Sequence, residues 1–214
     1  MAGFTNSLAI MAIDWGTILA FMGASLALTL SPGPDNLYVF SFSIGKSRKA
    51  ALELSLGLTT GLFLHTAIVA LGWSEILMAI PEFVWAIKIG GASYLVYLAV
   101  GVFKQNTPEK QKEIDTRKNF FWQGLVMNLT NPKVTLFFMV FFPGFLFSER
   151  LSLQWQFGIL GVVFWAQALF VFCGIALFGN YIKEQFNFKA TQKTQNYIQA
   201  FVLLFIAVLL LASI

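Results

Sequence analysis

Ser31-Pro32-Gly33-Pro34-Asp35-Asn36 interrupts a long apolar run near the start of the chain. A second stretch, Asn128-Leu129-Thr130-Asn131-Pro132-Lys133, interrupts another apolar run in the second half. In each stretch a residue type that commonly caps helices, serine or asparagine, precedes a proline, which is favoured at the first position of a helix. Each stretch therefore predicts that one helix ends and a second begins, with an ionisable residue, Asp35 or Lys133, close to the break.

The composition indicates an integral membrane protein. Of the 214 residues, 57% are hydrophobic and only 11% are charged, whereas soluble domains average about 25% charged residues. This much apolar surface cannot be hidden in a core of this size. The formal net charge of +4 is spread over short clusters, which fits membrane topology better than binding to nucleic acid. The sequence shows no metal-binding pattern and no cofactor motif, so we expect neither a metal nor a cofactor.

Apolar runs long enough to cross a bilayer, which takes about 20 residues, occur six times. They are Trp15–Ile44, Ala51–Gly72, Val84–Phe103, Phe120–Phe147, Trp155–Phe178 and Tyr197–Ala212. The first and fourth runs exceed the length of one straight span, and they contain the two breaks. The sequence therefore predicts an all-α membrane protein with six transmembrane helices, of which the first and fourth are broken at Ser31-Pro32 and Asn131-Pro132.

The basic residues predict the topology. Most of the 14 lysines and arginines fall between runs one and two, three and four, or five and six. By the positive-inside rule these loops are cytoplasmic, and both termini lie outside. Three helices in each half favour an inverted repeat within a single transmembrane domain, residues 1–214, with repeat one at about 15–103 and repeat two at about 120–212.

Two half-helices that start at these breaks would approach the middle of the membrane from opposite sides. Each would present free N–H groups and a partial positive charge, an environment that suits a carboxylate. Asp35 could face an ammonium group or carry a proton. The set favours a zwitterionic solute of amino-acid type, and the candidate binding residues are Ser31, Pro32, Gly33, Pro34, Asn36, Asn128, Asn131, Pro132 and Lys133.

Some of these residues also allow a structural interpretation. Asp35 and Lys133 could neutralise each other as a pair between the repeats, although charges at membrane depth are costly and usually functional. His65, the single histidine, could relay protons or bond to a neighbouring helix. Small residues let membrane helices approach closely, which assigns Gly57, Gly61 and Gly91 to helix packing and leaves a homodimer possible.

Several motifs together resemble the lysine exporter / homoserine–threonine resistance family of amino-acid exporters. The resemblance covers about residues 20–212 and rests on Ser31-Pro32-Gly33-Pro34-Asp35-Asn36, Gly45-Lys46-Ser47-Arg48, Gly57, Gly61, His65, Gly72, Gly91-Ala92-Ser93-Tyr94-Leu95, Asn131-Pro132-Lys133, Phe137-Phe138 and Pro143-x-Phe145. It implies export of amino acids or close derivatives across a bacterial inner membrane, driven by the proton gradient. Gly144 departs from the pattern, because many relatives have glutamine there.

We therefore expect a secondary transporter that works by proton antiport and is not an enzyme. A passive channel for amino acids or small solutes is the nearest alternative. An intramembrane protease is more remote: His65 and Ser93 resemble a rhomboid pair, but the histidine precedes the serine and Tyr94 stands where glycine is expected.

Overall fold

A backbone in lipid must satisfy its own hydrogen-bonding groups, which favours helices in apolar segments. The computed structural model describes residues 13–31, 33–45, 47–73, 83–104, 119–186 and 192–212, and within these ranges it contains helices and no strand. The helices are α1 (Trp15–Leu30), α2 (Pro34–Gly45), α3 (Arg48–Ile68), α4 (Phe83–Lys104), α5 (Phe120–Leu129), α6 (Pro132–Leu136), α7 (Leu153–Phe186) and α8 (Gln192–Ala212). The predicted all-helical class is confirmed for these residues.

Two helices continue into irregular helical turns. A π-helical turn, Val69–Trp73, follows α3. Another, Phe137–Phe141, follows α6 and leads into a short 3₁₀ helix, Phe142–Phe145. Such π-helical turns are rare and frequently lie at functional sites.

Two of the described helical segments are long and apolar enough to cross a membrane, Arg48–Gly72 and Leu153–Gly179. The pair α1 and α2 passes the same test together but bends by 53° at the first break, and the pair formed by α5 and the segment Pro132–Phe145 bends by 50° at the second. The described residues thus contain two spans, or up to four if each bent pair is one span. The arrangement of six spans as an inverted repeat stays a prediction.

Capping residues define several helix starts. Asp14 begins α1 by accepting hydrogen bonds from Thr17 Oγ1 at 2.6 Å and Thr17 N at 3.2 Å, and these bonds hold the pKa of the exposed Asp14 carboxyl below its ordinary value. Ser47 caps α3 through the N–H of Ala50. Such local bonds satisfy N–H groups that have no partner within the helix.

Glycines bring α3 directly against the backbone of α5. A Cβ atom added at Gly57 would overlap the carbonyl oxygen of Phe121, and one at Gly61 would overlap the side chain of Asn128. Further along the chain, a Cβ at Gly91 would overlap the side chain of Val140. Larger residues at Gly57 and Gly61 would push α3 and α5 apart, and α3 would no longer hold the second break in place.

Phenylalanines form a buried cluster beside the second break. Phe137 lies 5.1 Å from Phe164 between ring centroids, Phe138 lies 4.5 Å from Phe142, and Phe21 of α1 meets Phe142 at 5.3 Å. These rings are almost fully buried. The cluster therefore joins α1, α7 and the irregular turns after α6 into one packed unit.

Candidate functional site

The first break differs from the sequence prediction in its details. Ser31 does not cap a following helix: it ends α1, donating its N–H to the Ala27 carbonyl at 2.9 Å, while its hydroxyl has no partner. The next helix begins at Pro34, so the prediction that Pro32 opens it is wrong. Proline at position 34 takes the first helical position and places Asp35 in the first turn. Pro32 itself lies outside the described residues.

The carbonyl end of α1 is satisfied by side chains from elsewhere. The amide nitrogen of Asn36 donates to the carbonyl oxygens of Thr29 and Ser31, each at 2.8 Å. Lys133 Nζ donates to the same Ser31 oxygen at 3.2 Å. Free carbonyls at the end of a helix carry a partial negative charge, so an ammonium group is stabilised there. Lys133 of the second break therefore bonds to the carbonyl end of α1 at the first break.

The second break follows the sequence prediction. Asn131 caps α6, its side-chain oxygen accepting from the N–H of Lys133 at 3.0 Å, and Pro132 occupies the first turn. Thr130 closes the end of α5 by donating its N–H and its hydroxyl to the Val126 carbonyl. Both helix ends therefore find partners without water.

Asn131 connects the two breaks. While its oxygen caps α6, its amide nitrogen donates to Asp35 Oδ2 at 2.8 Å. Asp35 and Lys133 make no direct ion pair within the part of the chain that the structure describes. Both side chains are buried, with 6% and 9% of their surface exposed. The two charges thus lie near each other in a buried site and are held by different partners.

Unpartnered polar atoms surround this arrangement. Among the described residues, five buried side-chain atoms have no hydrogen-bond partner: Ser31 Oγ, Asp35 Oδ1, Asn36 Oδ1, His65 Nε2 and Asn128 Oδ1. Buried polar atoms are almost always paired, and leaving one unpaired costs about 1–3 kcal/mol. All five belong to residues at the two breaks or in contact with them, which makes this region the candidate binding site.

A small cavity lies between the two breaks. It is lined by polar residues on one side, namely Thr29, Asp35, Asn36, Asn128 and Lys133, and by apolar residues on the other, namely Leu28, Leu62, Val134, Phe164, Ala168 and Phe172. Its volume is about 20 Å³, on a measure in which one water needs roughly 10–15 Å³. A solute of amino-acid size would therefore have to separate the walls.

His65 lies beside the second break without lining the cavity. Its ring stacks on Phe138, with centroids 5.2 Å apart and planes 17° apart, and it interacts with the backbone of Asn128. Its Nε2 atom is buried and unpartnered. His65 therefore contacts Asn128, a residue that lines the cavity.

The structure brings most of the predicted binding residues together. Gly33 is buried, and a Cβ there would lie 3.5 Å from Lys133 Nζ, so the glycine lies directly against the ammonium. Pro132 is exposed and takes part only through the backbone of α6. The three packing glycines differ in position: Gly61 touches Asn128 at the site, whereas Gly57 and Gly91 contact Phe121 and Val140 further away.

The apolar wall of the cavity was not found from the sequence. Phe164, Ala168 and Phe172 are spaced by four residues on α7, so they share one helix face. Apolar residues that face lipid recur with the same spacing, and no sequence signal distinguishes the two. Gln167, on the same helix, instead joins α7 to α1, because it accepts from Ser25 Oγ at 2.8 Å and donates to the Met22 carbonyl at 3.2 Å.

Comparison with known proteins gives a consistent result. Residues 26–213 match the protein family described as LysE type translocator. The chain is 32% identical over 162 residues to a homoserine/homoserine lactone efflux protein of Salmonella typhimurium, covering 71% of this chain and 74% of that protein. It is 29% identical over 141 residues to a threonine efflux protein of Escherichia coli (strain K12), covering 63% and 68%. No solved structure matches the chain.

Proposed function

Because the chain belongs to the LysE-type translocator family, we propose that it is a secondary transporter that exports amino acids or close derivatives from the cytoplasm. Membership in this family makes the chain a membrane translocator and not an enzyme. Relatives named for efflux of homoserine, homoserine lactone and threonine support substrates of amino-acid type.

One observation carries the proposal: three residues that line the cavity together with Lys133 each have a buried acceptor oxygen without a partner. The oxygens are Asp35 Oδ1, Asn36 Oδ1 and Asn128 Oδ1. The α-ammonium group of an amino acid has three N–H donors, one for each oxygen. Lys133 uses one of its own three donors on Ser31 and can offer another to the substrate carboxylate. A zwitterion would therefore satisfy groups that the protein leaves unpaired.

Proton antiport follows from the position of Asp35 in this proposal. Charged Asp35 holds the substrate ammonium, and protonated Asp35 releases the ammonium. Its second oxygen remains tied to Asn131, so protonation acts on the oxygen that faces the substrate. His65, whose Nε2 is unpartnered next to Asn128, is the second candidate for carrying protons.

The proposed architecture is a single transmembrane domain, residues 1–214, of six spans related as a 3+3 inverted repeat. Repeat one comprises about residues 15–103 and repeat two about residues 120–212. The two bent helix pairs, one in each half and bent by 53° and 50°, support this relation. The charge distribution supports both termini outside, and the bacterial relatives support an inner-membrane location.

Efflux from proteoliposomes tests the proposal. Vesicles containing the purified protein are loaded with labelled homoserine, threonine, alanine or lysine, and release is measured with and without an imposed pH gradient. We expect release of at least one of these amino acids against its own gradient, and we expect a protonophore to abolish it. Downhill release that ignores the pH gradient and the protonophore would instead indicate a passive channel.

A further inference from the structure

The cavity between the breaks has a polar half and an apolar half. In the proposed function, the ammonium and carboxylate groups of the substrate occupy only the polar half. The polar half contains one acidic residue, Asp35, and one basic residue, Lys133. In the proposed function these two charges bind the ammonium and the carboxylate of the substrate. No third charged residue lines the cavity within the described part of the chain, so an ionised side chain would find no counter-charge.

One face of α7 supplies three of the six residues that form the apolar half. Phe164, Ala168 and Phe172 lie one turn apart on this face, and all three are buried. The helix carries no charged residue from Leu153 to Ile182. The polar neighbour Gln167 is bonded to Ser25 and Met22 of α1, which leaves it committed to helix packing.

Ala168 is the one short side chain between two rings. Phe164 cannot move aside easily, because its ring packs 5.1 Å from Phe137 and 5.5 Å from Phe138 between centroids. The backbone at Phe172 is fixed against α3, since its carbonyl accepts from Ser55 Oγ at 3.4 Å. A substrate side chain that separates the cavity walls therefore finds its room beside the methyl group of Ala168.

We propose that the α7 face formed by Phe164, Ala168 and Phe172 receives the substrate side chain, that Ala168 limits its size, and that the protein selects amino acids with small uncharged side chains. This rests on the proposed function and deepens it. One methylene group in an apolar pocket changes discrimination by about 10–200-fold. An ionised side chain buried on this face without a partner is rejected by at least roughly 100-fold.

Competition in proteoliposomes tests the selectivity of the unaltered protein. Exchange of the best exported labelled amino acid is measured while unlabelled alanine, serine, threonine, leucine, phenylalanine, lysine or glutamate is added at equal concentration. We expect competition by the small uncharged members, weaker competition by phenylalanine, and none by lysine or glutamate. Competition by lysine or glutamate as strong as that by alanine would overturn the inference.

Variants at position 168 test the role of the alanine. Ala168→Leu should lower exchange of the largest accepted substrate at least about 10-fold more than exchange of the smallest. Ala168→Gly, which adds no atoms to the packed interior, should move the size limit upward. Ala166→Leu makes the same substitution at an exposed position two residues away on α7, and it should keep the wild-type ranking.

The outcomes separate this inference from the function on which it rests. If the unaltered protein exchanges no amino acid, the proposed function is wrong. If it exchanges amino acids but both Ala168 variants keep the wild-type ranking of substrates, transport stands and the assigned side-chain pocket is wrong. If Ala168→Leu does not fold, the ranking of substrates by Ala168→Gly alone decides whether the side-chain pocket is assigned correctly.

Discussion

Replacing Asn131 with alanine should destabilise the protein more than any ordinary loss of a helix cap. Asn131 uses both ends of its amide: the oxygen caps α6 at the N–H of Lys133, and the nitrogen donates to Asp35 Oδ2. Asn131→Ala removes both bonds. It also leaves the Asp35 carboxylate without any hydrogen bond from a described residue, since Oδ1 is already unpartnered.

The expected size follows from these two bonds. Loss of an asparagine cap costs about 0.5–2 kcal/mol, and a hydrogen bond to a charged group contributes about 1.5–3 kcal/mol. Asn131→Ala should therefore lower the free energy of unfolding by about 2–5 kcal/mol. Neutral bonds between membrane helices average only about 0.6 kcal/mol, so the size of the second contribution also reports whether Asp35 is charged.

Asn119 supplies a matched control. It caps α5 in the same way, its side-chain oxygen accepting from the N–H two residues later at 3.1 Å. It is exposed, however, and its side chain bonds to no charged group among the described residues. Unfolding of both alanine variants is followed by circular dichroism during titration with sodium dodecyl sulfate in mixed micelles. We expect Asn131→Ala to cost about 1.5–3 kcal/mol more than Asn119→Ala. Equal destabilisation of the two variants would show that the bond to Asp35 contributes nothing.

Three further predictions concern transport and topology. Lys133→Met should lower efflux from proteoliposomes at least about 30-fold, because it removes the proposed partner of the substrate carboxylate, and truncating one partner of a buried charge pair costs about 2–5 kcal/mol. The protein should stay folded in detergent, and wild-type efflux would make the lysine peripheral. Asp35→Asn keeps the size of the side chain but cannot bind a proton, so it should abolish uphill efflux and retain exchange of labelled for unlabelled substrate; uphill efflux at the normal rate would leave His65 as the coupling candidate. Single cysteines at Thr5 and Ser213, both outside the described residues, should react with an impermeant maleimide added from outside, and reaction only after permeabilisation would refute the predicted orientation.

Local sequence chemistry predicts the second break correctly and the first only in part. Asn131-Pro132 contains its whole capping interaction within three residues, so local rules are sufficient. Around Ser31 two prolines compete for the first helical position, and the bonds that decide the outcome come from elsewhere. Lys133, which binds the carbonyl of Ser31, lies 102 residues away in sequence. No local rule contains that interaction.

Distance in sequence also explains why half of the cavity was missed. Polar residues in an apolar run stand out because they are costly in lipid, and this identified Asp35, Asn128 and Lys133. Phe164 and Ala168 are ordinary apolar residues of a membrane helix. Only the packing of α7 against the two breaks distinguishes them from the residues that face lipid.

The charges of Lys133 and Asp35 are bound to different neutral groups and not to each other. A direct pair between Lys133 and Asp35 would satisfy both charges, and a substrate would have to break it. In the structure, Lys133 is held by the carbonyl end of α1 and Asp35 by the amide of Asn131. Each charge is therefore stabilised by a neutral partner that leaves part of its bonding capacity unused. In the proposed function, such a site can bind a zwitterion without first losing an ion pair, and protonation of Asp35 would weaken the ammonium end while Lys133 keeps its own partner.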